Sequence, residues 1–264
     1  MAGKTLKGRT ALVTGATQGI GEAIAQALAA AGADVVVHGI EPQAGGEAAA
    51  AALAGVHGVR AAYVRADLAD PAQAAAVVAR AAQALAAPDI LVNNAGIQHT
   101  CPIESFPPER WDAIIAINLS AAFHTMRAAV PAMRERGWGR IVNIASVHGL
   151  VASVNKTAYL AAKHGLVGMS KGVALETATD GITVNCICPG WTETPILGPQ
   201  IAARAAQFGG DREAAIRDLL KEKQPNLKLL PPSRIGEVAA FLCSDAAEGI
   251  TGVSLPVDGG WTAQ

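Results

Sequence analysis

Aromatic residues make up only 4% of this 264-residue chain and charged residues only 16%. Neither sign of charge dominates, because 21 Lys+Arg stand against 22 Asp+Glu. A net charge of −1 provides no field to draw the chain onto nucleic acid or an anionic membrane, so neither partner is expected. Cysteine is scarce as well. Cys101, Cys186, Cys188 and Cys243 include no CxxC pair and no companion spacing of the zinc-site kind, which leaves no expectation of a metal among them. Four isolated thiols in a chain this long read as reduced, small apolar residues of a cytoplasmic protein. Met1–Lys7 has no long apolar segment behind it, and no run of about 18 residues lacks charged or strongly polar groups. Neither a signal peptide nor a membrane span is therefore expected.

Apolar residues and glycine are abundant instead: 51% of the chain is hydrophobic and 28 residues are Gly. A chain of this length buries roughly 70–75% of its unfolded surface and needs no disulfide or metal staple. Short apolar runs recur from end to end, at Thr10–Thr14, Asp34–Gly39, Ala61–Arg65, Asp89–Asn93, Arg140–Ala145, Thr183–Cys188 and Val253–Val257. Ala-rich helical stretches separate them, such as Gly21–Ala31, Ala44–Leu53, Pro71–Leu85 and Ala158–Thr177. Continuously apolar strands alternating with helices describe a parallel sheet covered on both faces. No polar linker or 20–50-residue repeat divides the chain. The expectation is an α/β fold: a single doubly wound Rossmann domain over residues 1–264, with a seven-stranded parallel sheet and helices on both faces. Pro189 to about Pro232 breaks the rhythm with Pro, Gly and helical fragments. An insertion after a late strand lies at the ligand-binding end of such a sheet, so residues of about 190–225 are expected to form a substrate lid.

The first apolar run leads into Thr14-Gly15-Ala16-Thr17-Gln18-Gly19-Ile20-Gly21 and then a helix. Glycines permit a tight turn and close backbone approach, and the helix N-terminus offers free amides to a pyrophosphate. Cofactor choice belongs near the end of the second strand, at Val37-His38-Gly39-Ile40-Glu41. No Asp ends that strand, and no Arg or Lys stands there or at Gln18 to neutralise a 2′-phosphate. Glu41 close by favours NAD over NADP; His38 is either a plain strand residue or a cofactor contact.

Tyr159 and Lys163, four apart, share one face of a helix. An ammonium beside a phenol favours the phenolate and lowers the tyrosine pKa, which makes Tyr159 a general base for an alcohol proton. Ser146, at the carboxyl end of the fifth strand, can orient a substrate oxygen.

Taken together, TGxxxGxG at Thr14–Gly21, Asn93-Asn94-Ala95-Gly96, Ser146 and Tyr159-x-x-x-Lys163 make the chain resemble the short-chain dehydrogenase/reductase family over nearly its whole length. The resemblance implies catalytic roles for Asn118, Ser146, Tyr159 and Lys163. It implies cofactor contacts from Gly15, Thr17, Gln18, Gly19, Ile20 and Gly21, from Ile40, and from the Asp67-Leu68 pair at the adenine. Asn94, Ala95, Gly96, Tyr159, Lys163, Pro189, Gly190 and Thr194 complete the implied cofactor set. The missing acid near Ile40 is the departure from the family pattern.

Segments Asn93–His99, Ile144–Val151, Ile187–Trp191 and Asp258–Gln264 resemble a bacterial branch of the family that interconverts (R)-3-hydroxybutyrate and acetoacetate with NAD. That likeness implies a carboxylate clamp of Gln98, His148, Lys156 and Gln200, with Trp191 and Trp261 bordering the apolar end of the substrate. It also implies a homotetramer, with Mg or Ca at the C-terminal carboxylate. Two alternatives stay open. One is a different member of the family, a 3-oxoacyl reductase or a broad secondary-alcohol dehydrogenase. The other is a sensor that binds NAD(H) without catalysis.

Overall fold

The computed structural model describes residues 5–263. Seven parallel strands form one sheet: β1 (Thr10–Val13), β2 (Asp34–Gly39), β3 (Ala61–Arg65), β4 (Ile90–Asn93), β5 (Gly139–Ile144), β6 (Ile182–Pro189) and β7 (Ser254–Val257). Their order is β3-β2-β1-β4-β5-β6-β7. Val13 pairs with Val37 on one side and Val92 on the other. Strand order reverses between β1 and β4, opening the crevice where such sheets take ligands. The fold is the doubly wound one expected, with boundaries within a few residues of those read from the sequence.

Nine helices lie among the described residues: α1 (Gly19–Ala30), α2 (Gln43–His57), α3 (Pro71–Ala84), α4 (Pro108–Ile115), α5 (Ala121–Arg136), α6 (Thr157–Glu176), α7 (Gly198–Ala205), α8 (Arg212–Lys223) and α9 (Pro232–Cys243). One face of the sheet packs Val13, Val35 and Val92 against Ile24 and Leu28 of α1 and Ile235 and Leu242 of α9. Helices α1 and α9 approach closely because Gly236 faces the Ala23 carbonyl, where any Cβ would overlap it. The opposite face packs Leu12, Val36 and Leu91 against Val77 of α3 and Met126 and Met133 of α5. Strands apolar on both faces are thus covered on both, which is why no in–out alternation is readable in them.

Local chemistry sets the helix ends. Asp70 accepts from the Ala72 and Gln73 amides while Pro71 opens α3. Gly58, with φ of +64°, closes α2 in the left-handed conformation. Between α4 and α5, residues 116–120 form a π-turn, so Pro108–Arg136 runs as one rod with a local widening. That rod is long and apolar enough to cross a bilayer by length and composition. Here it buries Ile114, Met126 and Met133 within the fold.

Between β6 and α9 the chain leaves the sheet. Thr192 bridges to Leu230, Glu193 donates to the Leu230 carbonyl, and Leu230 donates to the Trp191 carbonyl, so the outgoing and returning segments are tied together. Wholly buried Gln224 reinforces the join: its Oε1 accepts from the Trp191 amide at 2.9 Å and its side-chain amide donates to the Lys228 carbonyl. Leu197, Ile201, Ala205 and Ala215 form a small apolar cluster within the excursion, backed by Trp191 and Leu219.

Candidate active site

A cavity of about 370 Å³ opens at the carboxyl ends of the strands, over the β1/β4 crevice. Its floor begins with the glycine turn. Gly15 has φ of +60°, and a Cβ there would stand 3.0 Å from Ala95 Cα. Gln18 sits at the N-cap of α1 in extended conformation without a side-chain cap, leaving first-turn amides for a ligand. Asn94 holds the turn from the β4 side, its Nδ2 donating to the carbonyls of Thr14 at 2.9 Å and Gly15 at 3.0 Å. These are the features a pyrophosphate requires, and a dinucleotide fits them.

Almost every residue expected from sequence lines this cavity: Thr17, Gln18, Gly19 and Ile20 from the turn, Ile40, Asp67 and Leu68 toward one end, Pro189, Gly190 and Thr194 toward the other. Gly21 does not. It is buried in α1, where a Cβ would overlap the Gly15 carbonyl oxygen, so its smallness serves packing of the turn against the helix. Asn93 also points away from the cavity, joining Asn143 and Thr125 in a buried polar chain.

Glu41 closes the far end. One carboxylate oxygen accepts from Thr17 Oγ1 at 2.6 Å; the other is buried without a hydrogen-bond partner among the described residues. Burial pushes its pKa up, but hydrogen bonds led by that from Thr17 outweigh this and hold it below the usual carboxylate range. Nearby, the exposed Arg65 of β3 donates Nε to the Ile40 carbonyl at 3.1 Å. Twenty-five residues separate this cation from Ile40 in the chain, and only the β2/β3 register brings it there.

The reactive groups converge at the other end. Ser146, 7% exposed, starts a short turn at Val147–Gly149, its Oγ accepting from the His148 amide at 3.1 Å. Gly149 lets that turn lie against the Lys163 backbone of α6, bringing Ser146 beside the face that carries Tyr159 and Lys163. Lys163 Nζ donates to the Ile144 carbonyl at 2.7 Å and lies 5.6 Å from the Tyr159 ring centre. The tyrosine differs from expectation here. Burial pushes its pKa up to about 12, with a hydrogen bond from Ser146 opposing, and burial brings Lys163 down to about 8. Desolvation of the phenolate outweighs an ammonium that is bonded elsewhere.

Asn118 does not line the large cavity. It sits in the π-turn, its Oδ1 accepting from the Ile97 amide and its Nδ2 donating to the Ile97 carbonyl, both at 2.9 Å. That pairing anchors the segment presenting Gln98. Behind it a second cavity of about 10 Å³ touches both Asn118 and Lys163, room for roughly one water.

Gln98, His148, Lys156, Gln200, Trp191 and Trp261 all border the large cavity beside Ser146 and Tyr159. Lys156 Nζ donates to Gln200 Oε1 at 3.1 Å and lies 5.2 Å from the Trp191 ring centre. Burial lowers Lys156 to about 8. His148 Nε2 is 2.9 Å from Ser153 Oγ, and burial, reinforced by Lys156, lowers the ring to about 3. Trp261 stands 5.5 Å from both His148 and Trp191. Asp258 seats that tryptophan by accepting from the amides of Gly260 and Thr262 and the Thr262 hydroxyl. Sequence reading missed the supporting roles of Asp258, Gln224 and Ser153, which are visible only as contacts across loops. The C-terminal carboxylate, expected to hold Mg or Ca, belongs to Gln264 and lies outside the described residues.

The family model described as enoyl-(acyl carrier protein) reductase matches residues 15–262. This chain belongs to the short-chain dehydrogenase/reductase family and is an oxidoreductase. Among its relatives, a D-beta-hydroxybutyrate dehydrogenase from Cupriavidus necator is 52% identical over 98% of this chain and 100% of its own length. A second protein of that name, from Rhizobium meliloti, is 46% identical over 97% of this chain and 99% of its own. L-sorbose reductase from Gluconobacter frateurii, solved with NADPH and L-sorbose, superposes with a TM-score of 0.94 at 32% identity, covering 99% of each chain.

Proposed function

We propose that this oxidoreductase interconverts (R)-3-hydroxybutyrate and acetoacetate with NAD. The observation that carries the reading is Lys156, 6% exposed in the wall of the cavity. Among the described residues no acidic side chain pairs with it; its one hydrogen bond goes to neutral Gln200. A buried ammonium is costly unless an anion meets it. A small substrate carboxylate fills that need, with Gln98, His148 and Gln200 as further partners and Trp191 and Trp261 against the apolar end. The two relatives named above support the same substrate.

The dinucleotide cradle takes the cofactor along the glycine turn, with Asp67 and Leu68 at one end and Pro189, Gly190 and Thr194 at the other. When bound, NAD+ supplies a hydride acceptor and a positive charge that favours the phenolate. Ser146 holds the substrate hydroxyl, and Tyr159 takes its proton as the carbon gives up hydride; in reduction Tyr159 returns the proton. Lys163 orients the ribose, and Asn118 with the adjoining small cavity supports the proton's way out. Anchoring the carboxylate fixes which face of C3 is presented. The segment of about 190–225, tied at Gln224 and latched through Gln200, acts as the lid that excludes water.

NAD is favoured because the Glu41 carboxylate offers an unpartnered oxygen to a ribose hydroxyl and repels a 2′-phosphate. Arg65 supports the NADP reading, as does the structural neighbour solved with NADPH. A homotetramer fits the exposed Phe123, Leu175 and Phe241 on α5, α6 and α9, and light scattering tests it.

Separate assays of NADH formation with the (R)- and (S)-acids, with NAD+ and NADP+, test the reaction. Turnover of the (R)-acid with NAD+ that drops about 10²–10⁴-fold in Tyr159→Phe supports it. Reduction of uncharged ketones without turnover of either acid would replace it with a broad secondary-alcohol dehydrogenase.

A further inference from the structure

His38 is 2% exposed on β2, one residue before the strand ends, and the mechanism above leaves it without a task. Its Nδ1 lies 3.2 Å from the Gly15 amide nitrogen, and its Nε2 lies 3.1 Å from the Ala66 carbonyl oxygen. The partners remove the usual ambiguity of an imidazole. An amide N–H only donates, so Nδ1 is bare; a carbonyl only accepts, so Nε2 carries the proton. The ring is neutral and of one tautomer.

The same residue acts through its main chain: the His38 carbonyl accepts from the Ala16 amide at 2.8 Å. Two successive amides at the start of the glycine turn are thereby held by one residue of β2. From the β4 side, Asn94 takes the carbonyls of Thr14 and Gly15. Gly15 is gripped at its amide by His38 and at its carbonyl by Asn94, in a conformation of φ +60°. A Cβ at Gly15 would stand 3.0 Å from Ala95 Cα, so the missing side chain is what lets the turn lie this close to the segment after β4. Ala66, the other end of the histidine bridge, immediately precedes Asp67 and Leu68 on the cavity wall. The ring therefore joins the phosphate-facing turn to the segment expected at the adenine.

We propose that His38 is a positioning residue for the dinucleotide: its neutral Nε2–H imidazole sets the distance and orientation between the glycine turn and the Ala66–Leu68 wall. This rests on dinucleotide binding alone and stands whichever hydroxy compound the enzyme oxidises. A residue merely filling core space would need no polar partner on both sides. The bridge instead acts on the adenosine-diphosphate half of the cofactor, which NADH and NADPH share.

The test is NADH and NADPH binding to the full-length protein, followed by protein-to-NADH fluorescence transfer, alongside steady-state kinetics. In His38→Ala the dissociation constants of both cofactors are expected to rise together by about tenfold. The hydride-transfer rate at saturating cofactor and the KM of the second substrate should stay within about twofold. In His38→Asn, whose carboxamide can accept from the Gly15 amide in place of Nδ1 but is too short to reach the Ala66 carbonyl, only part of the affinity should return. Unchanged NADH affinity in a folded His38→Ala overturns the proposal. So does a loss confined to one cofactor, which would place His38 at the ribose 2′ position. If His38→Ala does not fold, nitrogen NMR of the wild-type ring decides: a bare Nδ1 with protonated Nε2 supports the bridge, and the opposite tautomer rejects it. Failure of wild type to oxidise 3-hydroxybutyrate, with NADH still bound, would sink the substrate reading and leave this one standing.

Discussion

Lys156, at the N-cap of α6, donates its Nζ to Gln200 Oε1, in the first turn of α7, at 3.1 Å. One contact thus joins the catalytic helix to the excursion over the cavity. Burial sets Lys156 near 8, so its charge is present below that pH and lost above it. For the hydroxy acid, kcat/KM is expected to decline above pH about 8 relative to an uncharged alcohol assayed in parallel. Lys156→Met should raise KM for the acid about 10–100-fold, the worth of a charged hydrogen bond, with a smaller change for the uncharged alcohol. Equal effects on both substrates would remove Lys156 from carboxylate binding.

Cofactor choice should turn on Glu41 and Arg65. Removing the carboxylate in Glu41→Ala takes away both the unpartnered oxygen and the Thr17 contact. NAD+ affinity should fall about tenfold and NADP+ use should rise. Arg65→Ala should lower residual NADP+ use and leave NAD+ kinetics near wild type. Competition between the two cofactors in one assay measures the ratio directly.

Gly21→Ala places a methyl group onto the Gly15 carbonyl and the Asn94 amide. Neither neighbour can move without shifting the turn. A loss of about 1–3 kcal/mol in urea unfolding is expected, together with weakened NADH binding. Gly45→Ala, inside α2 with open space around its Cα, is the control: it should leave NADH binding unchanged and not lower stability.

Acid should destabilise the fold through two buried histidines. Burial lowers His38 to about 4 and His148 to about 3 from an ordinary value of 6.5. A base whose folded pKa is depressed favours the folded state above its unfolded pKa, and that contribution is lost as pH falls. Stability should therefore drop from pH 6.5 downward, by at most about 2 kcal/mol for each ring at pH 5. Urea titrations at pH 7, 6 and 5 measure it. In His38→Asn the slope should be roughly halved.

Much of this enzyme is written along the chain. Apolar runs such as Leu12-Val13 and Val35-Val36-Val37 mark strands buried on both faces, and Gly15, Gly19 and Gly21 mark the turn after the first of them. Tyr159 and Lys163 are readable because a helix places residues four apart on one face, and Ser146 because it follows a strand directly. These signals are local, set by steric limits and periodicity within a few residues. Contacts between distant segments carry no such signal. Register between β2 and β3 brings Arg65 to Ile40, and the β2 end turns the His38 ring onto Gly15. Packing alone decided that Gly21 serves the helix and that Lys156 is buried with no acidic partner among the described residues. Desolvation, which depends on everything surrounding a group, reversed the expected direction at Tyr159.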